Sequence, residues 1–117
     1  MKNIKTLPDF EHFVTLPKMT GIELITEERR QQIEKHGRTP EQDYKLNTDG
    51  QLAWAASCLA FKRIEDWDAR HEAPTNWDLK VWQKIHDKTH RERLIIAGAL
   101  IAAELDRMAL AEKETQH

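Results

Sequence analysis

The run Leu94-Ile95-Ile96-Ala97-Gly98-Ala99-Leu100-Ile101-Ala102-Ala103, closed by Glu104-Leu105-Asp106, decides the fold. Its apolar residues do not alternate with polar ones as a half-buried strand requires, and they recur at helical spacing. Leu94, Ala97, Ile101, Leu105 and Met108 share one helical face. Ile96, Leu100, Ala103, Arg107 and Leu110 share another. The spacing predicts one long helix from about His90 to Lys113. Two apolar faces imply a central helix, or one shared with a second subunit. The acids at its end also need a reason. A charge beside packed apolar surface is costly unless it is paired, exposed at the edge or bound to a cation.

Working outward, the same periodicity recurs upstream. Thr20 with Glu23 three residues later is a capping box, and Gly37 suits the position after a helix end, so a helix is expected over 21–36. Its apolar stripe is thin: Ile22, Leu24, Ile25 and Ile33. Glu28 and Gln32, four apart, border that stripe. Arg38–Asn47 reads as a polar loop. Thr48 and Gln51 form a second capping signature, and the helix it starts is expected to reach about Arg63. Leu52, Ala55, Ala56, Leu59 and Ala60 give that helix a small-residue face for close packing. A tryptophan-rich connection holds Trp67, Trp77 and Trp82, which should pin it to the core. Part of it, Asn76–Lys88, reads as a short helix. The expected architecture is all-α: a compact bundle of about four helices with a tryptophan-rich connecting loop. Residues 1–19 form an N-terminal extension whose Phe10 and Phe13 should dock, 20–113 a single helical domain, and 114–117 a tail.

Composition narrows the function. The 117 residues suggest one domain. Apolar residues make up 39% and charged residues 32%, a lean core for a monomer, so a homo-oligomer is expected. Net charge is −2 with mixed signs, which argues against a broad nucleic-acid surface. The one basic run, Lys80 to Arg93, is a candidate phosphate contact or a solvated helix face. Cys58 is the sole cysteine and reads as a small core residue. No run is long enough to span a membrane, and the first 18 residues lack a signal-peptide centre, so a cytoplasmic location is expected. His86 and His90 are four apart without a third ligand, which favours ordinary surface histidines. There is no P-loop, dinucleotide turn, Gly-x-Ser-x-Gly or paired-cysteine zinc motif.

Two resemblances bear on chemistry. Glu28-Arg29-Arg30-Gln31-Gln32-Ile33, His36-Gly37-Arg38-Thr39-Pro40-Glu41-Gln42-Asp43, Gly50-Gln51-Leu52-Ala53 and Ile96-Ala97-Gly98-Ala99-Leu100-Ile101-Ala102-Ala103-Glu104 resemble a pattern of small phage-borne proteins. That likeness covers roughly residues 19–110 and implies a phage or prophage origin. More loosely, carboxylates on two facing helices resemble the MazG-like all-α nucleoside triphosphate pyrophosphohydrolases. That resemblance implies Mg²⁺ held by acids of two helices, with a nucleoside triphosphate cut to monophosphate and pyrophosphate. Hard carboxylate oxygens suit Mg²⁺, which clamps phosphates and activates water.

On that reading Glu28 and Glu104 are the candidate catalytic residues, and Glu28, Glu104 and Asp106 the metal ligands. Gln32, Asp43, Gln51, Lys80 and Arg107 are the candidate ligand-binding residues. The departures are specific. Gln31 stands where the motif has Glu, Gln51 where the phage pattern has Glu, and Gln42 and Tyr44 replace His and Asp. Glu104 and Asp106 are two apart, which on a helix points them about 200° apart. The expected function is therefore a MazG-like, Mg²⁺-dependent pyrophosphohydrolase or a degenerate nucleotide-binding descendant. The alternative is a non-catalytic phage accessory protein that binds a host protein or a small nucleotide. On a third reading, Glu28 and Glu104 are ordinary salt-bridge partners of nearby arginines.

Overall fold

A computed structural model describes residues 19–62 and 72–115. These carry five helices and no strand: α1 (Gly21–His36), α2 (Pro40–Leu46), α3 (Gln51–Leu59), α4 (Leu79–His86) and α5 (His90–Thr115). The all-α bundle expected from the sequence is the observed class, with one helix more than anticipated. Expectations for Phe10, Phe13 and Trp67, and for the tail beyond Thr115, lie outside the described residues or at their edge.

The apolar run forms the axis. Helix α5 packs against α1, α2 and α3. Ile96, Ala97, Leu100 and Ala103 meet Leu52, Ala55, Ala56, Cys58 and Leu59 of α3, and Trp82 and Ile85 of α4 complete this core. Small residues on both helices let the backbones approach closely. On another side Leu24 of α1 packs on Ile95, with Met19 beside them. At Gly98 the two helices meet with little room: a Cβ there would lie 2.5 Å from Ile25 Cδ1, so the Ile25 side chain would have to shift to admit one. The contacts rise together along both helices, Leu24 with Ile95 and Arg29 with Asp106, so α1 and α5 run in the same direction. Among the described residues no helix is long and apolar enough to cross a membrane.

The ends of α1 follow the sequence. Thr20 and Glu23 cap each other's backbone N–H groups at 2.8 and 3.2 Å. Gly37 adopts φ 65°, and the Arg38 N–H closes back onto the Gln32 carbonyl at 3.0 Å, a Schellman-type stop.

Three local readings need correction. The expected polar loop over 38–47 contains α2, because Thr39 caps the Gln42 N–H and Pro40 takes the first helical position, where its missing N–H costs nothing. Helix α3 starts at Gln51 after a left-handed Gly50, not at a Thr48 cap, and ends at Leu59 rather than near Arg63. Helix α4 starts at Leu79, capped by Asp78, rather than at Asn76, so Trp77 precedes it.

The end of α3 has its own device. Arg93, 2% exposed, donates from Nη1 to the carbonyls of Leu59 and Phe61, at 3.1 and 2.7 Å. Its Nη2 reaches the Lys62 carbonyl at 3.2 Å, and Nε reaches Lys88 at 3.3 Å. One guanidinium thus serves the orphan carbonyls at the end of α3 and ties them to α5. The basic run of the sequence is therefore not one solvated face, since its last member is a buried brace. Trp54 plays a similar part, donating its indole N–H to the Glu72 carbonyl at 2.7 Å.

Candidate functional site

Helix α2 builds the site because it places Asp43 and Asn47 four residues apart on one face. Asp43 is 2% exposed. Asn47 Nδ2 donates to Asp43 Oδ1 at 2.8 Å, and Trp77 Nε1 donates to Asn47 Oδ1, also at 2.8 Å. An indole N–H can only donate, so the orientation of the Asn47 amide is fixed, and with it the acceptor role of Asp43 Oδ1. The second oxygen, Oδ2, is buried without a hydrogen-bond partner.

These residues line a cleft of about 480 Å³, together with Gly37, Arg38, Leu52, Asn76 and Val81 among others. The Schellman turn after α1 delivers Arg38 to it. The guanidinium carbon lies 5.6 Å from the Trp77 ring centroid, a cation–π contact, and donates no hydrogen bond to a described residue. Asn76, at φ 72°, turns the chain into Trp77; asparagine is among the residues that tolerate this conformation best.

Electrostatics mark the same place. Burial pushes the Asp43 carboxyl above the usual aspartate range, against the hydrogen bond from Asn47 and the charges of Arg29 and Arg38; Glu104 adds to the rise. Burial likewise pushes the Arg38 guanidinium down, opposed by Asp43 and Glu28.

The residues singled out from the sequence scatter around this cleft. Asp43 lines it. Glu28 accepts from Gln32 Nε2 at 3.2 Å, and the buried Gln32 Oε1 has no partner. Glu104 is held by Arg107 through two bonds of 2.8 and 2.9 Å. Asp106 pairs with Arg29 at 3.2 Å, while Arg29 Nη1 braces the Arg38 carbonyl at 3.0 Å. Gln51 is spent on the α2–α3 connection, accepting from the Asp49 N–H at 2.7 Å and donating to the Leu46 carbonyl at 3.2 Å. Lys80 is exposed near the start of α4, outside the cleft.

This arrangement does not fit a ready-made Mg²⁺ shell. Glu104 and Asp106 are neutralised by arginines, and among the described residues no three His, Cys, Asp or Glu side chains gather for a metal ion. Sequence reasoning passed over Asn47 and Arg38 as binding residues. The signal for Asn47 was Thr39-Pro40, which starts the helix that aligns it with Asp43.

Comparison with protein-family profiles, with curated proteins and with solved structures gives no match.

Proposed function

We propose that this chain binds a nucleotide in the cleft between α2 and the start of α4, as a degenerate descendant of a MazG-like pyrophosphohydrolase. One observation carries the reading. The cleft presents the Arg38 guanidinium, which donates no hydrogen bond to a described residue, over the Trp77 indole. A ligand that suits both needs an anionic end and a compact, largely planar body, and a nucleotide has these parts. The volume falls within the range of small-molecule sites. Arginine neutralisation of Glu104 and Asp106 supports binding over Mg²⁺-dependent turnover.

The test is a titration of nucleoside mono- and triphosphates followed by Trp77 fluorescence and calorimetry, with and without Mg²⁺. Saturable binding that needs no Mg²⁺ is expected, without release of pyrophosphate. Mg²⁺-dependent pyrophosphate release would restore the enzyme reading, with Glu28 and Glu104 as its first targets. Absence of any binding would leave the accessory-protein alternative.

A second reading, of self-association, has its own observation. On α5, Leu94, Ile101, Leu105 and Met108 are between 44% and 61% exposed, and Ile22 of α1 is 74% exposed. Their spacing on α5 of seven, four and three residues is that of a helix-packing seam. We expect a dimer or larger assembly through this stripe, and dissociation on Leu105→Glu. Light scattering at micromolar concentration decides it, and a monomeric mass for the wild type overturns it.

A further inference from the structure

We propose that two copies of this chain pair α5 against α5 in antiparallel register, about a two-fold axis at Ile101, with Arg91 of each copy facing Glu112 of the other. This rests on the self-association reading above and adds to it the orientation of the partners and the end point of assembly. Three features of α5 point the same way. The first is the symmetry of the stripe. Leu94 and Met108 stand on either side of Ile101 at equal spacing, and all three are between 44% and 53% exposed. An antiparallel partner reverses the order of residues. In a register centred on Ile101, Leu94 of each copy meets Met108 of the other, and Ile101 meets its own copy.

The second feature is size. That register sets Leu105, 61% exposed, within one residue of the level of the partner's Gly98, which has no side chain to compete for the space. A parallel pair would set Leu105 on Leu105 and Gly98 on Gly98. Helix pairs fill their interface by facing large residues with small ones. The third feature is charge. Arg91 stands about one turn before Leu94, and Glu112 about one turn after Met108. At about 100° per residue Glu112 returns to the line of Leu94, while Arg91 lies roughly 60° to its side. Both are exposed, and neither forms an ion pair with a described residue. The antiparallel register brings each Arg91 within one residue of the level of the partner's Glu112. A parallel pair sets Arg91 beside Arg91 and Glu112 beside Glu112, with the helix dipoles aligned side by side. The other charges of α5 do not cancel this pattern. Glu104 is held by Arg107 and Asp106 by Arg29, His90 sits against the Ala60 carbonyl, and Lys113 lies about 100° round from Glu112. Exposed pairs add little affinity, but opposite rather than like charges at both rims decide the orientation.

The experiment uses the full chain with single cysteines placed on the stripe, and wild type with its buried Cys58 as the control. Two copies of position 94 lie about 21 Å apart along an antiparallel pair, whereas a disulfide needs its Cα atoms within about 7 Å. Under mild oxidation Leu94→Cys mixed with Met108→Cys should therefore give a disulfide between the two variants, identified by mass spectrometry of the joined peptides. Leu94→Cys alone should not link to itself. Ile101→Cys should link to itself in either orientation, so it reports the shared face alone. Analytical ultracentrifugation then measures the dimer dissociation constant. Arg91→Glu and Glu112→Arg should each raise it roughly three- to tenfold at low salt, and less at high salt. The double variant Arg91→Glu/Glu112→Arg should return to within about twofold of wild type, because both contacts are restored with their signs exchanged. A monomeric wild type overturns the self-association reading and this inference with it. So does a dimer in which Ile101→Cys fails to cross-link, since the chain then pairs through another face. A dimer in which Leu94→Cys links to itself, or in which the double charge reversal gives no rescue, leaves self-association standing and overturns the antiparallel arrangement. A trimer or larger assembly overturns the arrangement as well, because a two-fold interface closes at two copies.

Discussion

Arg93→Met is expected to lower the unfolding free energy by roughly 3–5 kcal/mol, although no catalytic or ligand role attaches to this residue. The guanidinium, itself buried, holds the carbonyls of Leu59, Phe61, Lys62 and Lys88, the first of these bonds buried and the others partly so. Burial pushes its pKa down, so the charge is kept in place against a desolvation cost and its hydrogen bonds must offset that cost. Methionine matches the apolar stem and leaves the carbonyls at the end of α3 without their donors. Arg93→Lys tests the geometry separately from the charge. A compact ammonium cannot span carbonyls served by three different guanidinium nitrogens, so lysine should recover less than half of the loss. Urea unfolding measures both variants, and the melting temperature should fall by more than about 10 °C. A lysine variant within about 1 kcal/mol of wild type would mean that charge alone suffices and that the fork is incidental.

The position of Arg93 also explains what the sequence reveals and what it hides. Helix α1 was legible to the residue, because Thr20, Glu23 and Gly37 act through local backbone geometry that no distant contact overrides. The central place of α5 was legible from its two apolar faces, one of which packs the core while the other, apart from the buried Ala97, stays exposed. The end of α3 was not. Its last carbonyls, that of Leu59 among them, are held by a side chain 34 residues away. Helix α2 was readable in principle, since Thr39 before Pro40 is a start signal, but seven residues with a single leucine look like a loop when hydrophobic period is the guide.

The candidate site divides in the same way. Asp43 and Glu28 stood out as acids in patterned surroundings. Their partners did not, because pairing depends on how α1, α2 and α5 pack. Arg107 lies three residues from Glu104, so that pair was within reach of helical spacing. Arg29 with Asp106, 77 residues apart, was not. The contribution of Trp77 lay in the direction of one N–H bond, which fixes an amide and with it the acceptor role of one Asp43 oxygen.

Trp82→Ala is the second large loss expected, roughly 3–5 kcal/mol for a core aromatic truncated to a methyl group. Trp82 is 3% exposed and closes the core formed by Leu52, Leu59, Leu100 and Ala103. It meets Trp77 edge to face at a centroid distance of 5.8 Å and His86 at 4.2 Å. Its removal therefore leaves a cavity and withdraws the surface on which Trp77 rests. Trp77 is only partly buried, so Trp77→Phe should cost less, about 1–2 kcal/mol, mainly through the lost bond to Asn47. The two variants should part company in the cleft. Trp77→Phe removes the donor that orients Asn47, so the amide can turn and Asp43 Oδ1 loses its assured partner. Trp82→Ala keeps that donor but lets the ring carrying it move. Both should weaken nucleotide binding, while only Trp82→Ala should give the larger fall in denaturant midpoint. A Trp82→Ala loss under about 1 kcal/mol would mean that α4 is docked by other contacts, and the chain of support from core to Trp77 to Asp43 would have to be redrawn from Asn47 alone.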